Sequence, residues 1–108
     1  MTLDAQTEYA AVVSEMTATS PTSSGKMFGM PCLKNSNGKA FAGYYEGEMV
    51  FKLGGASHAE ALAVSGARLF DPMGGRPMKE WVVVPAEHSS RWLEFARDAF
   101  SYLAEKGK

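Results

Sequence analysis

The sequence predicts an α+β fold in the order α-β-β-β-α-β-β-α. Three observations predict it. Residues 25 to 53, GKMFGMPCLKNSNGKAFAGYYEGEMVFKL, are apolar runs punctuated by Asn35-Ser36-Asn37-Gly38 and Glu46-Gly47-Glu48. Gly and Asn reach the positive-φ conformations that tight turns need, so this stretch reads as a three-stranded meander. Trp81-Val82-Val83-Val84 is the most β-prone run of the chain. Helical periodicity of apolar residues marks both ends. At 108 residues the chain suits a single domain, 1–108.

The first helix is expected over residues 4 to 18, where Tyr9, Val12, Val13 and Met16 fall on one stripe. Asp4 or Thr2 can cap its start, and Glu8 suits the dipole. Pro21 closes it, and residues 19 to 25 read as a polar loop. The first strand runs from Lys26 to Leu33, with Met27, Gly29, Pro31 and Leu33 on one face and Phe28, Met30 and Cys32 on the other. Pro31 donates nothing to a ladder, which places this strand at an edge or bulge. The second, Lys39 to Glu46, alternates Phe41, Gly43 and Tyr45 with Ala40, Ala42 and Tyr44; the third spans Glu48 to Leu53. Neither face of this meander is cleanly polar. The excess apolar surface calls for a second covering layer, a partner subunit or a ligand groove.

Gly54-Gly55 breaks the third strand. Ser57 with Glu60 forms a capping-box pattern for a short helix, with Leu62 as its core residue, His58 solvated in its first turn and Gly66 as its stop. Ala67 to Phe70 and Met78 to Val84 make a second strand pair, the latter central and ended by Pro85. The last helix occupies about Ser89 to Glu105, with Pro85-Ala86 as an alternative opening. Trp92, Phe95, Ala96, Ala99 and Leu103 form its apolar stripe, widened by Phe100. On its outer side Glu94 and Asp98 are like charges at i, i+4, offset by Glu94–Arg97 at i, i+3.

Composition narrows the functional classes. A hydrophobic fraction of 45% with 21% charge is that of a folded chain. The formal net charge of −1, with eleven Lys and Arg spread along the chain, counts against direct nucleic-acid binding. One cysteine, Cys32, allows no internal disulfide and no cysteine-based metal site. No basic flank precedes an apolar run at the N-terminus, and no window approaches a membrane span. The expectation is a cytoplasmic protein without membrane attachment.

No catalytic or metal constellation is visible, and no cofactor is expected. Gly74-Gly75-Arg76 lacks the spacing of a phosphate loop, and neither His58 nor His88 sits in the context of a nucleophile elbow. Gly54-Gly55-Ala56-Ser57 precedes a helix start, where backbone N–H groups can receive an anion. The loop Asp71 to Lys79 demands specific geometry: two glycines, Pro77 to fix φ, and Arg76 as a charged donor fork that either pairs with Asp71 or meets a ligand. Met27, Met30, Met49, Met73 and Met78 fall in or beside strands, where soft thioethers suit cores and adaptable surfaces alike.

Lys26-Met27-Phe28-Gly29, the Asn37-Gly38-Lys39-Ala40-Phe41-Ala42-Gly43 hairpin, Met49-Val50-Phe51-Lys52-Leu53 and Phe70-Asp71 through Gly75-Arg76-Pro77-Met78-Lys79-Glu80-Trp81 together resemble the N-terminal domain of the TfoX/Sxy family. The resemblance spans roughly residues 4 to 105. Lys26 stands where the family has Arg, and Met30 with Pro31 follows where it has a second Gly. The resemblance implies a two-layer α+β sandwich with a mainly antiparallel sheet, like that of secretion chaperones. Longer members, which are regulators of natural competence, add a C-terminal helical domain; the form expected here is the stand-alone one, and no catalytic residues come with it.

The expected function is therefore a small, non-enzymatic regulatory module that acts by protein–protein contact as a homodimer with an unknown protein partner. Its candidate surface comprises Lys26, Met27, Phe28, Gly29 and Met30 with Gly74, Gly75, Arg76, Pro77, Met78 and Trp81. The alternative is a small-ligand or enzyme site near Arg76 and the Gly54–Ser57 turn.

Overall fold

The computed structural model describes residues 5–20, 22–27, 30–36, 38–71, 75 and 78–106. Helix α1 spans Ala5–Thr19, and β1 (Ser23–Met27), β2 (Met30–Lys34), β3 (Ala40–Tyr45) and β4 (Glu48–Lys52) follow. Helix α2 (Gly55–Leu62), β5 (Arg68–Phe70), β6 (Met78–Val84), a 3-10 helix (Ala86–Arg91) and α3 (Trp92–Lys106) complete the order. The six strands form one sheet in the order β1-β2-β3-β4-β6-β5, and every neighbouring pair is antiparallel.

The fold is α+β, with one strand more than the sequence predicts between α1 and α2. What reads as a single strand from Lys26 to Leu33 is a hairpin, because Met27 pairs with Met30 and Ser23 with Lys34. The polar stretch before it is thus an outer strand. Ser23, Ser24 and Gly25 have little β-propensity, but an edge strand is held by ladder bonds along one side and needs no apolar face. Pro31 is accordingly not at the edge. Its strand begins pairing with β3 only at Cys32, opposite Gly43.

Turn chemistry sets the other hairpins. Asn35 closes β2–β3: its N–H donates to the Lys39 carbonyl at 2.9 Å, and its Oδ1 accepts from the Lys39 N–H at 3.0 Å. Glu46 and Gly47 join β3 to β4 with φ of 48° and 82°, the positive pair that a two-residue primed turn requires.

A bulge changes which residues of β3 reach the core. The β2–β3 register shifts between Leu33, opposite Ala42, and Lys34, opposite Ala40. Phe41 is the extra residue, so it and Ala42 both join the cluster under the helices. Strict alternation, which separates those two, fails at this point.

All three helices contribute to one core. Tyr9, Val12 and Met16 of α1, Ala61 of α2 and Trp92, Phe95, Ala96, Ala99 and Leu103 of α3 pack on Leu33, Met49, Phe51, Leu53, Val82 and Val84. Phe41 meets Phe100 edge-on at 5.5 Å, and the indole N–H of Trp92 donates to the Val84 carbonyl at 3.1 Å. That bond fixes the start of α3 over the end of β6. The opposite face of the sheet carries a second buried cluster of Met30, Val50, Phe70, Trp81 and Val83, to which no helix contributes among the described residues. Tyr45 stands edge-on to Phe70 there, at 5.2 Å. The excess apolar surface of the strands is largely used inside the chain.

Four local expectations are corrected. Helix α2 starts at Gly55 with Gly54 as N-cap and no side-chain cap, so Ser57 lies within it. Its buried residue is Ala61, while Leu62 is 36% exposed. His58 is not simply solvated: its Nε2 lies 2.7 Å from the Lys79 carbonyl, to which it donates. On α3, Glu94 pairs with Arg91 at 2.8 Å, and Arg97 instead reaches Glu15 of α1 at 3.2 Å. Arg91 also binds Glu60 at 2.6 Å and lies 4.7 Å over the Phe95 ring, which ties α2 to α3. Both carboxylates push the Arg91 guanidinium further up, and Arg91 holds Glu94 below its ordinary value.

Candidate functional site

An open concavity, a cleft of about 700 Å³, lies between α1 and the β1–β3 end of the sheet. Ala10 on α1 and Gly25 on β1 are small residues of its lining. Gly43 of β3 has its own space filled by Met30, whose Cε would stand 2.5 Å from an added Cβ. The helix wall is Gln6, Tyr9, Ala10 and Val13. The sheet wall comprises Ser24, Gly25, Met30 and Pro31, and Tyr44, Tyr45 and Glu46 close one end.

The lining is mainly apolar, with polar groups at the margins. Gln6, Ser24 and Glu46 are exposed, whereas Tyr9 is buried. The Tyr9 hydroxyl has no hydrogen-bond partner among the described residues. Burial pushes its pKa up to about 12, and Cys32 adds to the effect. The Cys32 thiol is itself buried and raised by burial, with Lys34 acting against the shift. A neutral phenol and a neutral thiol therefore sit in this region near pH 7, which keeps it apolar. Lys26, on β1 just after the lining residues Ser24 and Gly25, is exposed, and no carboxylate pairs with it among the described residues.

Of the surface expected from sequence, the cleft gathers one part. Met30 lines it, and Lys26 stands on the adjoining edge strand. Met27 is the last residue of β1 and Met78 the first of β6. Phe28, Gly29, Gly74, Arg76 and Pro77 lie outside the described residues. Gly75 has φ of 137° and donates its N–H to Asp71 Oδ2 at 2.9 Å. Trp81 is 7% exposed within the second cluster, where it supports the sheet.

No protein-family model, curated protein or solved structure matches the chain. The site is read from its own geometry.

The Gly54–Ser57 turn offers little room for a ligand. A Cβ on Gly54 would lie 2.6 Å from Tyr102 Cζ, and Ser57 hydrogen-bonds to Asp98. Among the described residues no group of three His, Cys, Asp or Glu side chains could hold a metal ion, and no helix is long and apolar enough to cross a membrane. Sequence reasoning missed Tyr9, Ala10, Ser24 and Tyr44 as cleft walls. Tyr9 reads as ordinary core on its helical stripe, and only the fold brings Ala10 of α1 and Ser24 of β1 to one cleft.

Proposed function

We propose that this chain is a small, non-enzymatic, cytoplasmic interaction module that holds an apolar segment of a partner protein in the α1–β1–β3 cleft and acts in regulation as a homodimer. The cleft carries this reading: it is large, open and apolar, with polar margins suited to orienting what enters. The resemblance to the TfoX/Sxy N-terminal domain supports a regulatory role, and the negative net charge favours a protein partner over nucleic acid.

The cleft is favoured over a small-ligand site at the Gly54–Ser57 turn because that turn is filled by Tyr102 and engaged by Asp98. The test is Ala10→Arg, which places a long cation in the cleft from an exposed helix position. Crosslinking in the host followed by mass spectrometry should recover a partner with the wild type and lose it with this variant. Equal recovery would remove the cleft from consideration. Light scattering at micromolar concentration should give twice the 11.6 kDa chain mass, and a steady single-chain mass would exclude the dimer.

A further inference from the structure

Resting on that reading, we infer that the segment held is an extended strand that adds to the outer edge of β1, with an apolar residue opposite Ser24 and a carboxylate opposite Lys26. β1 ends the strand order, so no described strand pairs with its outer side. Such an edge presents unpaired N–H and C=O groups, which an extended polypeptide satisfies and a compact apolar ligand does not.

The edge and the cleft are continuous. Ser24 belongs to β1 and also lines the cleft, and its partner Leu33 belongs to the core under the helices. Ser24 and Lys26 are two residues apart and so share that face. A residue opposite Ser24 on an added strand therefore points toward the apolar cleft. A residue opposite Lys26 lies beside an exposed cation with no described carboxylate partner. Opposite charges directly across an antiparallel pair are favourable and like charges are not. Lys26 thus deters promiscuous pairing at an open edge and selects an acidic partner strand. The recognised pattern is apolar-x-acidic, read in either direction.

The probe is the peptide acetyl-Thr-Phe-Thr-Glu-Thr-Phe-Thr-amide, which carries the pattern in both directions, titrated into the ¹⁵N-labelled full chain. Saturable shifts are expected at β1 amides and at Tyr44, with slowed hydrogen exchange at alternate β1 amides. Lys26→Glu should weaken binding about three- to tenfold. Replacing the peptide's Glu by Lys should restore binding to that variant. N-methylation of the Phe and Glu amides, or else of the Thr amides between them, should abolish binding while the other set leaves it intact. Binding that is indifferent to the Lys26 charge and to both N-methyl sets, yet lost in Ala10→Arg, would overturn the inference and leave the cleft reading standing. Concentration-dependent β1 protection that excludes the peptide would mean that a second copy takes the edge, and would overturn it too. No binding of the peptide, together with partner recovery indifferent to Ala10→Arg, would overturn both.

Discussion

The Tyr9 and Tyr44 rings lie 5.1 Å apart, with their planes inclined by 30°. This pair joins α1 to β3 at the wall of the cleft and leaves the Tyr9 hydroxyl buried without a hydrogen bond among the described residues. Tyr9→Phe keeps the ring contact and removes the unmet group. It should stabilise the fold by about 1 kcal/mol at pH 7. The folded pKa of about 12 lies above the ordinary 10.0, so the neutral phenol's contribution is complete below pH 10 and is lost as pH rises through 12. By pH 11, midway through that window, the wild type should have lost on the order of 1–1.5 kcal/mol relative to the variant. Urea titrations at pH 7 and 11 check both parts, and a destabilised Tyr9→Phe at pH 7 would show that the hydroxyl is satisfied in solution.

Asp98 gives a pH dependence in the acid range. Burial raises its pKa most, Glu94 and Glu60 add to this, and the Ser57 hydrogen bond and Arg91 oppose it. A carboxyl whose folded pKa lies above its unfolded value binds its proton more tightly in the fold. That contribution is present below pH 3.8 and is lost as pH rises through the folded value. Asp98→Asn removes the charge that burial disfavours and retains an acceptor for Ser57. It should be more stabilising, or less destabilising, at pH 7 than at pH 3.5. Thermal melts of both proteins at the two pH values test the sign, and a larger relative gain at pH 3.5 would refute it.

The sequence was most legible where one short-range rule decided the outcome. Apolar periodicity located α1 and α3, and the φ > 0 demand of Gly38 and Gly47 located two turns. It was least legible where pairing set the structure. Ser23, Ser24 and Gly25 form a strand because β2 offers them a ladder, and Phe41 faces the helices because the register slips beside it. The cleft was hidden for the same reason, since its walls come from α1 and three strands that only tertiary packing assembles. Of the expected surface, Met30 lines it and Lys26 lies on the adjoining strand β1.

Helix α2 supplies a contrast between neighbours. Ala61 is fully buried and Leu62 is 36% exposed, the reverse of what side-chain size suggests. Leu62→Ser should therefore change stability by no more than about 0.5 kcal/mol, as surface changes do. Ala61→Leu forces three further carbons into a filled site and should cost about 1–3 kcal/mol. Chemical denaturation of the pair decides it, and a Leu62→Ser loss as large as that of Ala61→Leu would place Leu62 in the core.

Gly54 is needed for space rather than for conformation. Its φ of −148° is open to any residue, but an added Cβ would overlap the Tyr102 ring, 2.6 Å from Cζ. That ring is not free to yield, because its hydroxyl donates to Glu80 Oε2 at 2.6 Å and so tethers α3 to β6. Gly54→Ala should cost about 1–3 kcal/mol by displacing the ring and straining the tether. If the clash is the cause, the same substitution made in a Tyr102→Ala background should cost almost nothing, and the two changes should couple by at least about 1 kcal/mol. A Gly54→Ala cost that persists unchanged without Tyr102 would locate the requirement in the α2 cap instead.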